Sequence, residues 1–306
     1  MGRKRQRGRN VNGILLLDKG VGMTSNAALQ EVKKLFFAKK AGHTGSLDPL
    51  ASGLLPLCLG EATKLSQFLL DSDKVYEGVC QLGSKTTTGD AEGEVIETKP
   101  VPKFDEHSLK KVFSQFLGDI EQIPPMHSAI KQNGQPLYKL AHQGIVVERE
   151  PRPVHIYELT CLEVHEASFK FSLRCSKGTY VRTLAEDMGE VMGCGAHLTD
   201  LRRTHVGPFD LDAAVTPEEL THIAADEGHQ GLDKLMIPID KALENWPAVH
   251  LTENSTYYVK QGQPVQVAKA PTSGWVRLFA NNDHFIGVGQ IMDDGRVAPK
   301  RLLNLG

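Results

Sequence analysis

The chain is short of the features that mark the commonest enzyme classes. It has five cysteines in 306 residues (58, 80, 161, 175 and 194) and no CxxC pair among them. An odd, widely spaced set excludes a disulfide framework and a zinc ribbon. It leads us to expect reduced thiols in a cytoplasmic protein. Twelve histidines include no HExxH or other metal-ligand spacing, so no metal is expected. There is no GxGxxG and no GxxxxGK followed by Ser or Thr, so neither a dinucleotide nor a P-loop nucleotide cofactor is indicated. No apolar run reaches the length of a membrane span, and nothing resembling a signal peptide precedes Val11-Asn12-Gly13-Ile14. Position 6 is Gln, which rules out the myristoylation pattern at Gly2.

Charge is nearly balanced at −2, but it is unevenly placed. The first ten residues carry Arg3, Lys4, Arg5, Arg7 and Arg9 without an acid. Further basic residues sit at Lys33, Lys34, Lys39 and Lys40, at Lys177 and Arg182, at Arg202 and Arg203, and at Arg296, Lys300 and Arg301. Residues 205–245 hold nine acids (210, 212, 218, 219, 226, 227, 233, 240, 244) against Lys234 and Lys241. Basic clusters and a basic tail at 1–10, on a body near neutrality, suit a polyanionic partner.

The hydrophobic pattern predicts a mixed α and β chain. Gly13–Asp18 reads as a buried strand. A helix follows, capped by Thr24 or Ser25, with Ala28, Leu29, Val32, Leu35 and Phe36 on one face. Glu61–Leu70 reads as helix and Lys74–Gly83 as strand, with Tyr76, Gly78, Cys80 and Leu82 sharing a face. Lys85–Glu94 reads as a polar turn, and Leu109, Val112, Phe113, Phe116 and Leu117 mark an amphipathic helix. Residues 124–152, bounded by Pro124-Pro125 and Pro151-Arg152-Pro153, look like an insertion standing off the core, with a short helix near 137–142. Val154–His165 and Phe169–Cys175 alternate as a hairpin, and helices are expected after Tyr180 and at Thr216-Pro217-Glu218-Glu219. Beyond Trp246-Pro247 the runs Pro264–Val267, Trp275–Ala280, Phe285–Ile291 and Val297–Leu303 suggest a small β-barrel.

The chemistry concentrates in Gly42-His43-Thr44-Gly45-Ser46-Leu47-Asp48-Pro49-Leu50-Ala51-Ser52-Gly53. Glycines at 42, 45 and 53 allow positive φ and close approach, and Pro49 fixes the chain just past Asp48. A carboxylate on such a loop is held in place, as covalent catalysis requires. The plainer reading is a turn in which Asp48 caps the next segment. His43, Ser46 and Asp48 are a Ser/His/Asp set by type only, without a nucleophile elbow around them. Tyr76 lies on a small, apolar strand face. Ser176–Arg182 pairs Tyr180 with an arginine, and Leu201-Arg202-Arg203 adds a third segment. Aromatic faces stack on bases at about 1–3 kcal/mol each. Arginine pairs with a carboxylate and keeps it ionised. Carboxylate, aromatics and arginine together suit chemistry on a nucleobase.

The loop closely resembles the catalytic motif of the tRNA pseudouridine-55 synthase family. Gly13–Asp18 with Gly22-Met23-Thr24-Ser25, Gly60-Glu61-Ala62-Thr63-Lys64, Thr88-Gly89-Asp90-Ala91-Glu92-Gly93, and Ser176–Arg182 with Arg202-Arg203 also match, in the family's order. The likeness covers residues 11 to 210 and continues more weakly to the C-terminus. It implies an α+β fold: a pseudouridine synthase core with a mixed, largely antiparallel sheet over 11–245, a thumb at 124–152, and a PUA-like RNA-binding β-barrel over 246–306. It implies isomerisation of uridine 55 in the tRNA T-loop, by a monomer that contacts T-loop and elbow and uses no cofactor, metal or membrane. The nucleophilic aspartate falls on Asp48 and the stacking tyrosine on Tyr76. Tyr180 and Arg182 take the tyrosine and arginine of the second motif, His43 the histidine that helps open the T-loop, and Leu201 the apolar contact to uracil. Whether Asp48 attacks the sugar C1′ or the base C6 stays open. The family's Lys-Pro is Lys19-Gly20 here, and Met126 is followed by His127 where the family has Tyr, which puts one loop's rigidity and one thumb contact in question. A tRNA-binding protein without this chemistry and the catalytic subunit of a guide-RNA-directed pseudouridylase are the competing readings.

Overall fold

The computed structural model describes residues 8–305 except 133 and 142. Most of the basic tail at 1–10 therefore lies outside the described residues. Nine strands form the main sheet. Its central path runs Gly13–Lys19, Ser52–Leu59, Ala196–Val206, Lys74–Leu82, Ser168–Cys175, Arg152–Val164 and Gly118–Gln122. Ala41–His43 adds to the 52–59 strand, and Phe209–Asp210 to the 196–206 strand. All these pairings are antiparallel except one. Arg202 pairs with Ser52, and Arg203 with Gly53, in a two-residue parallel contact. The expectation of a mixed, largely antiparallel sheet holds.

Alternation along the first two strands explains why both read as continuous apolar runs. Leu15, Leu17, Leu55, Leu57 and Leu59 enter the large core with the helix Ser25–Leu35. Ile14, Leu16, Leu54 and Cys58 enter a second core on the opposite face. Thr24 caps the 25–35 helix by accepting the Ala27 N–H, as its sequence position predicts. Pro217–Asp226 opens on a full capping box between Thr216 and Glu219. The stretch 61–70 divides into a 3₁₀ turn, Gly60–Lys64, and a short helix, Ser66–Leu70.

The C-terminal unit departs from expectation. Ala248–His250, Trp275–Ala280, His284–Ile291 and Val297–Leu302 form an open four-stranded sheet, and no pairing closes it into a barrel among the described residues. Pro264–Val267 contributes an isolated bridge between Val265 and Val297 instead of a strand. A helix, Glu253–Lys260, precedes this bridge, in a stretch for which no element was expected. The unit has its own core, including Val249, Val259, Val276, Leu278 and Ile286. Phe279, Phe285 and Val288 instead join Ile14, Leu16 and Leu54 in the second core. Phe68, Trp246 and Trp275 complete that junction with ring centroids 4.8–5.5 Å apart.

Candidate active site

The glycine loop leaves the 41–43 strand, turns outward, and re-enters the sheet at Ser52. Four sets of contacts fix it. Thr44 donates both its N–H and its hydroxyl to the Pro56 carbonyl at 3.2 Å. The buried Ser25 hydroxyl accepts the Leu47 N–H at 2.7 Å and donates to the Leu47 carbonyl at 2.9 Å. The Pro49 carbonyl accepts the Gly22 N–H at 2.7 Å. Arg203 donates to the Gly45 carbonyl at 3.2 Å. Positive φ occurs at Gly45 and Gly53 but not at Gly42, which is an ordinary strand residue. Any side chain at Gly53 would run into the backbone of Arg203, so the parallel contact there requires glycine.

Asp48 does not cap the following segment through its carboxylate. Its Oδ2 lies 3.0 Å from Arg182 Nε, while its carbonyl accepts the Ala51 N–H. Arg182 is buried and fully engaged. Nη1 donates to the Thr88 carbonyl at 2.9 Å, Nη2 to the His127 carbonyl at 2.8 Å, and Asp90 Oδ2 lies 3.6 Å from Nε. One guanidinium thus joins the catalytic loop, the 88–93 turn and the 124–152 segment. The Asp48 side chain keeps 45% of its surface open, yet burial still pushes its carboxyl above the ordinary value. These agree if its open face looks into a cleft walled by protein, where solvent moderates the shift. The Arg182 guanidinium pulls the carboxyl back down, and the Asp90 charge adds to the upward push. The sequence led us to expect an arginine holding Asp48 ionised. The ion pair is there, but it opposes burial rather than winning against it.

Tyr76 and Tyr180 both lie within electrostatic reach of this carboxylate, whose charge is a minor influence on either phenol. Burial raises both phenols. Tyr180 precedes the helix Val181–Val191, where its N–H donates to Gln122 Oε1 at 3.0 Å. Leu201 is buried opposite Gly78, in the core that also holds Leu47 and Ala51 and against which Tyr76 packs. His43 ends its strand opposite Leu57. Burial, reinforced by Arg203, lowers its pKa, so the imidazole is neutral at pH 7. Its Nδ1 is buried without a hydrogen-bond partner among the described residues.

Three residues matter more than their sequence setting suggested. Asp90, placed in a polar turn, is buried and accepts from the Thr88 hydroxyl and the Glu92 N–H. Arg203 is 1% exposed and lies opposite Tyr76 in the sheet register. It donates to the Leu54 carbonyl at 2.8 Å. No carboxylate pairs with it among the described residues. Lys19 is fully buried, and burial lowers it to about 8 despite the opposing charge of Asp48. Its ammonium bonds the carbonyls of Gly20 at 2.8 Å and Met23 at 2.7 Å. That clamp supplies the rigidity that Gly20 puts in question. At His127 the bond to Arg182 uses the backbone carbonyl, so the contact does not depend on the side chain there. Buried Arg and Lys among the sequence's basic residues were the available signal, but a sequence does not separate buried charges from solvated ones.

Two half-open pockets, of about 370 and 500 Å³, are lined by residues other than Asp48. Nearly half of the Asp48 side chain is exposed outside both. Comparison with known proteins agrees with this picture. The TruB family pseudouridylate synthase N-terminal domain matches residues 33–181. The tRNA pseudouridylate synthase B C-terminal domain matches 182–244, and the pseudouridine synthase II TruB C-terminal region matches 247–303. A protein of Stutzerimonas stutzeri named tRNA pseudouridine synthase B is 57% identical, over 96% of both chains. One of the same name from Ectopseudomonas mendocina is 55% identical, over 97% of both. Among solved structures, a chain of a Cbf5–Nop10–Gar1 complex is 25% identical with a TM-score of 0.71, covering 96% of this chain and 84% of that one. A chain of an H/ACA RNP bound to a substrate RNA shares the fold at TM-score 0.73, covering 99% of this chain and 92% of that one, with 22% identity.

Proposed function

The chain belongs to the TruB family of pseudouridine synthases, and from that premise we infer that Asp48 is the nucleophile with which it acts. The enzyme isomerises uridine 55 of tRNA to pseudouridine. The observation that carries the assignment of Asp48 is its position. It is an accessible carboxylate on a pinned loop, 3.0 Å from a buried arginine and within electrostatic reach of two tyrosines.

The geometry supports the following course. The target uridine leaves its stack at a cost of a few kcal/mol. His43, neutral and with a free ring nitrogen, fills the gap in the loop. Tyr76 stacks on the extruded base, Leu201 supports its apolar face, and Tyr180 bounds the cleft. Asp48 attacks C1′ or C6, the N1–C1′ bond breaks, and the uracil turns. C5 then bonds to C1′, the bond to Asp48 breaks and returns the carboxylate, the C5 proton leaves, and N1 takes up a proton. A glycosidic bond is exchanged for a carbon–carbon bond, so the step needs no external energy source. Closure of the cleft must exclude water, or the cleaved intermediate would hydrolyse.

We assign the remaining parts on the same footing. Residues 11–245 form the catalytic unit, and 124–152 act as a thumb closing on the T-loop. Residues 246–306 serve as a PUA-like RNA-binding unit, although their sheet is open. The protein works as a cytoplasmic monomer on tRNA. The test is Asp48→Asn on a tRNA transcript labelled with tritium at uridine C5. Tritium release should vanish while tRNA affinity stays within about twofold, because Asn keeps the shape and loses the nucleophile. Normal release from the variant would remove Asp48 from its role. Release from the transcript by the purified chain alone, without added guide RNA, separates this reading from a guide-RNA-directed subunit.

A further inference from the structure

The 370 Å³ cavity lies where three stretches of chain meet. It is lined by Arg9, Asn10 and Asn12, by Lys39 and Lys40, by Gly60 and Glu61, and by Asn304 and Leu305. Its lining is cationic. Glu61 is already committed, since it accepts the Asn304 N–H at 2.8 Å and the Lys64 ammonium. Neither Lys39 nor Lys40 forms a salt bridge among the described residues. Arg9 reaches Asp233 through Nη2, while its Nη1 is buried without a hydrogen-bond partner. A shielded guanidinium donor with no acceptor is costly unless an acceptor arrives. Asn10, Asn12 and Asn304 add amides that can bond phosphate or ribose oxygens. The volume falls at the lower end of small-ligand sites, about 300–1,000 Å³, which suits a phosphate with its sugar.

The position is equally telling. Lys40 precedes the strand Ala41–His43, so about 10 Å of extended chain separates the cavity from His43. The opposite wall is the end of the C-terminal unit, which Lys64 ties down by donating to the Leu302 carbonyl at 2.9 Å.

We propose that this cavity binds a phosphodiester of the substrate RNA backbone outside the loop that carries the target uridine. The proposal rests on the reading of the chain as a tRNA enzyme. It adds a contact that helps set where the RNA lies relative to His43 and Asp48.

The experiment is Lys39→Glu with Lys40→Glu, measured on full-length tRNA transcript over a range of salt. Loss of one phosphate contact should lower the slope of log affinity against log salt by about one. Affinity should fall about tenfold or more at low salt, with the loss appearing in KM rather than kcat. Lys39→Gln with Lys40→Gln should give a smaller loss in the same direction, and it keeps the test informative if charge reversal disturbs folding. Three results would overturn the proposal. The first is wild-type affinity and slope in both variants. The second is an equal loss in the control Lys103→Glu with Lys111→Glu, which would mark a general charge effect. The third is inorganic phosphate protecting the wild-type protein from thermal unfolding while tRNA binding ignores both lysines, which would mark a free-anion site. Failure of the tRNA-enzyme reading looks different. There the wild-type protein releases no tritium from the transcript at any salt.

Discussion

The loop 42–53 and the segment 124–152 meet at one guanidinium, yet they are built on opposite principles. The loop is held by Ser25, Gly22, Pro56 and Arg203, which come from three stretches of chain outside it. The segment is held largely by itself. Arg149 donates to the Pro124 carbonyl at 3.0 Å, Gln132 to the Glu148 carbonyl at 3.3 Å, and a two-stranded sheet, Lys131–Gln132 with Gln135–Pro136, pairs within it. Its links to the site include the bond from Arg182 to the His127 carbonyl and the approach of Ser128 to the Tyr180 phenol. Tyr138, Ile145 and Val146 are exposed along it. A reacting carboxylate must not move, and a surface that accommodates a folded RNA must be able to. The contrast in anchoring follows from that difference in task.

Substitutions can sharpen or break this contrast. The largest effect belongs to Asp48→Asn, which should leave no measurable tritium release. It should also raise Tm slightly. Folded Asp48 holds its proton more tightly than the unfolded chain does, so its ionisation removes stability as pH rises from the ordinary carboxylate value through the raised one. That loss is still present at pH 7, and Asn avoids it. An unfolding scan that places the variant clearly below wild type would contradict this.

Arg182→Met comes next. It strands buried Asp90 and removes the group that pulls the Asp48 carboxyl down. Stability should fall by about 3–5 kcal/mol, read by urea titration, and kcat by roughly a hundredfold or more. Asp48 acts as an anion, so activity falls as pH drops through its raised value. Without Arg182 that acid limb must move to higher pH. A limb left in place would mean that the pair does not govern the nucleophile.

Ser25→Ala tests the pinning itself. Leu47 loses partners for both its N–H and its carbonyl, at a cost of about 1–3 kcal/mol. The released loop should lower kcat by roughly ten- to a hundredfold with KM little changed. Arg149→Ala makes the matching change in the segment. Here KM should rise a few-fold while kcat holds, and the reverse split would erase the distinction between the two regions. The smallest effect is His127→Tyr. Because the bond to Arg182 uses the backbone, activity should shift by less than about 0.5 kcal/mol in kcat/KM.

Much of this was legible in the sequence, and the exceptions share a cause. Strands at 13–19 and 74–82, the helix after Thr24 and the capped helix at Thr216 follow from period and capping, which are local. Asp48 was legible because glycine and proline punctuation marks a constrained bend. Asp90 was not, because a short acid between Thr-Gly and Ala reads as solvated turn. Its burial depends on partners distant in sequence, among them the parallel bridge to Leu198 and the approach of Arg182. The open C-terminal sheet was missed for a similar reason. Pro264–Val267 has strand composition, but whether a run closes a barrel depends on its partner, and period alone does not supply one.

The second core has a mechanical corollary. Phe279, Phe285 and Val288 share a core with Ile14, Leu16 and Leu54, and Phe68 packs edge-on against both Trp246 and Trp275. With that joint filled by side chains, the two halves form a caliper with its jaws fixed. An RNA that touches both must match the gap between them, so its dimensions are gauged before any bond is broken.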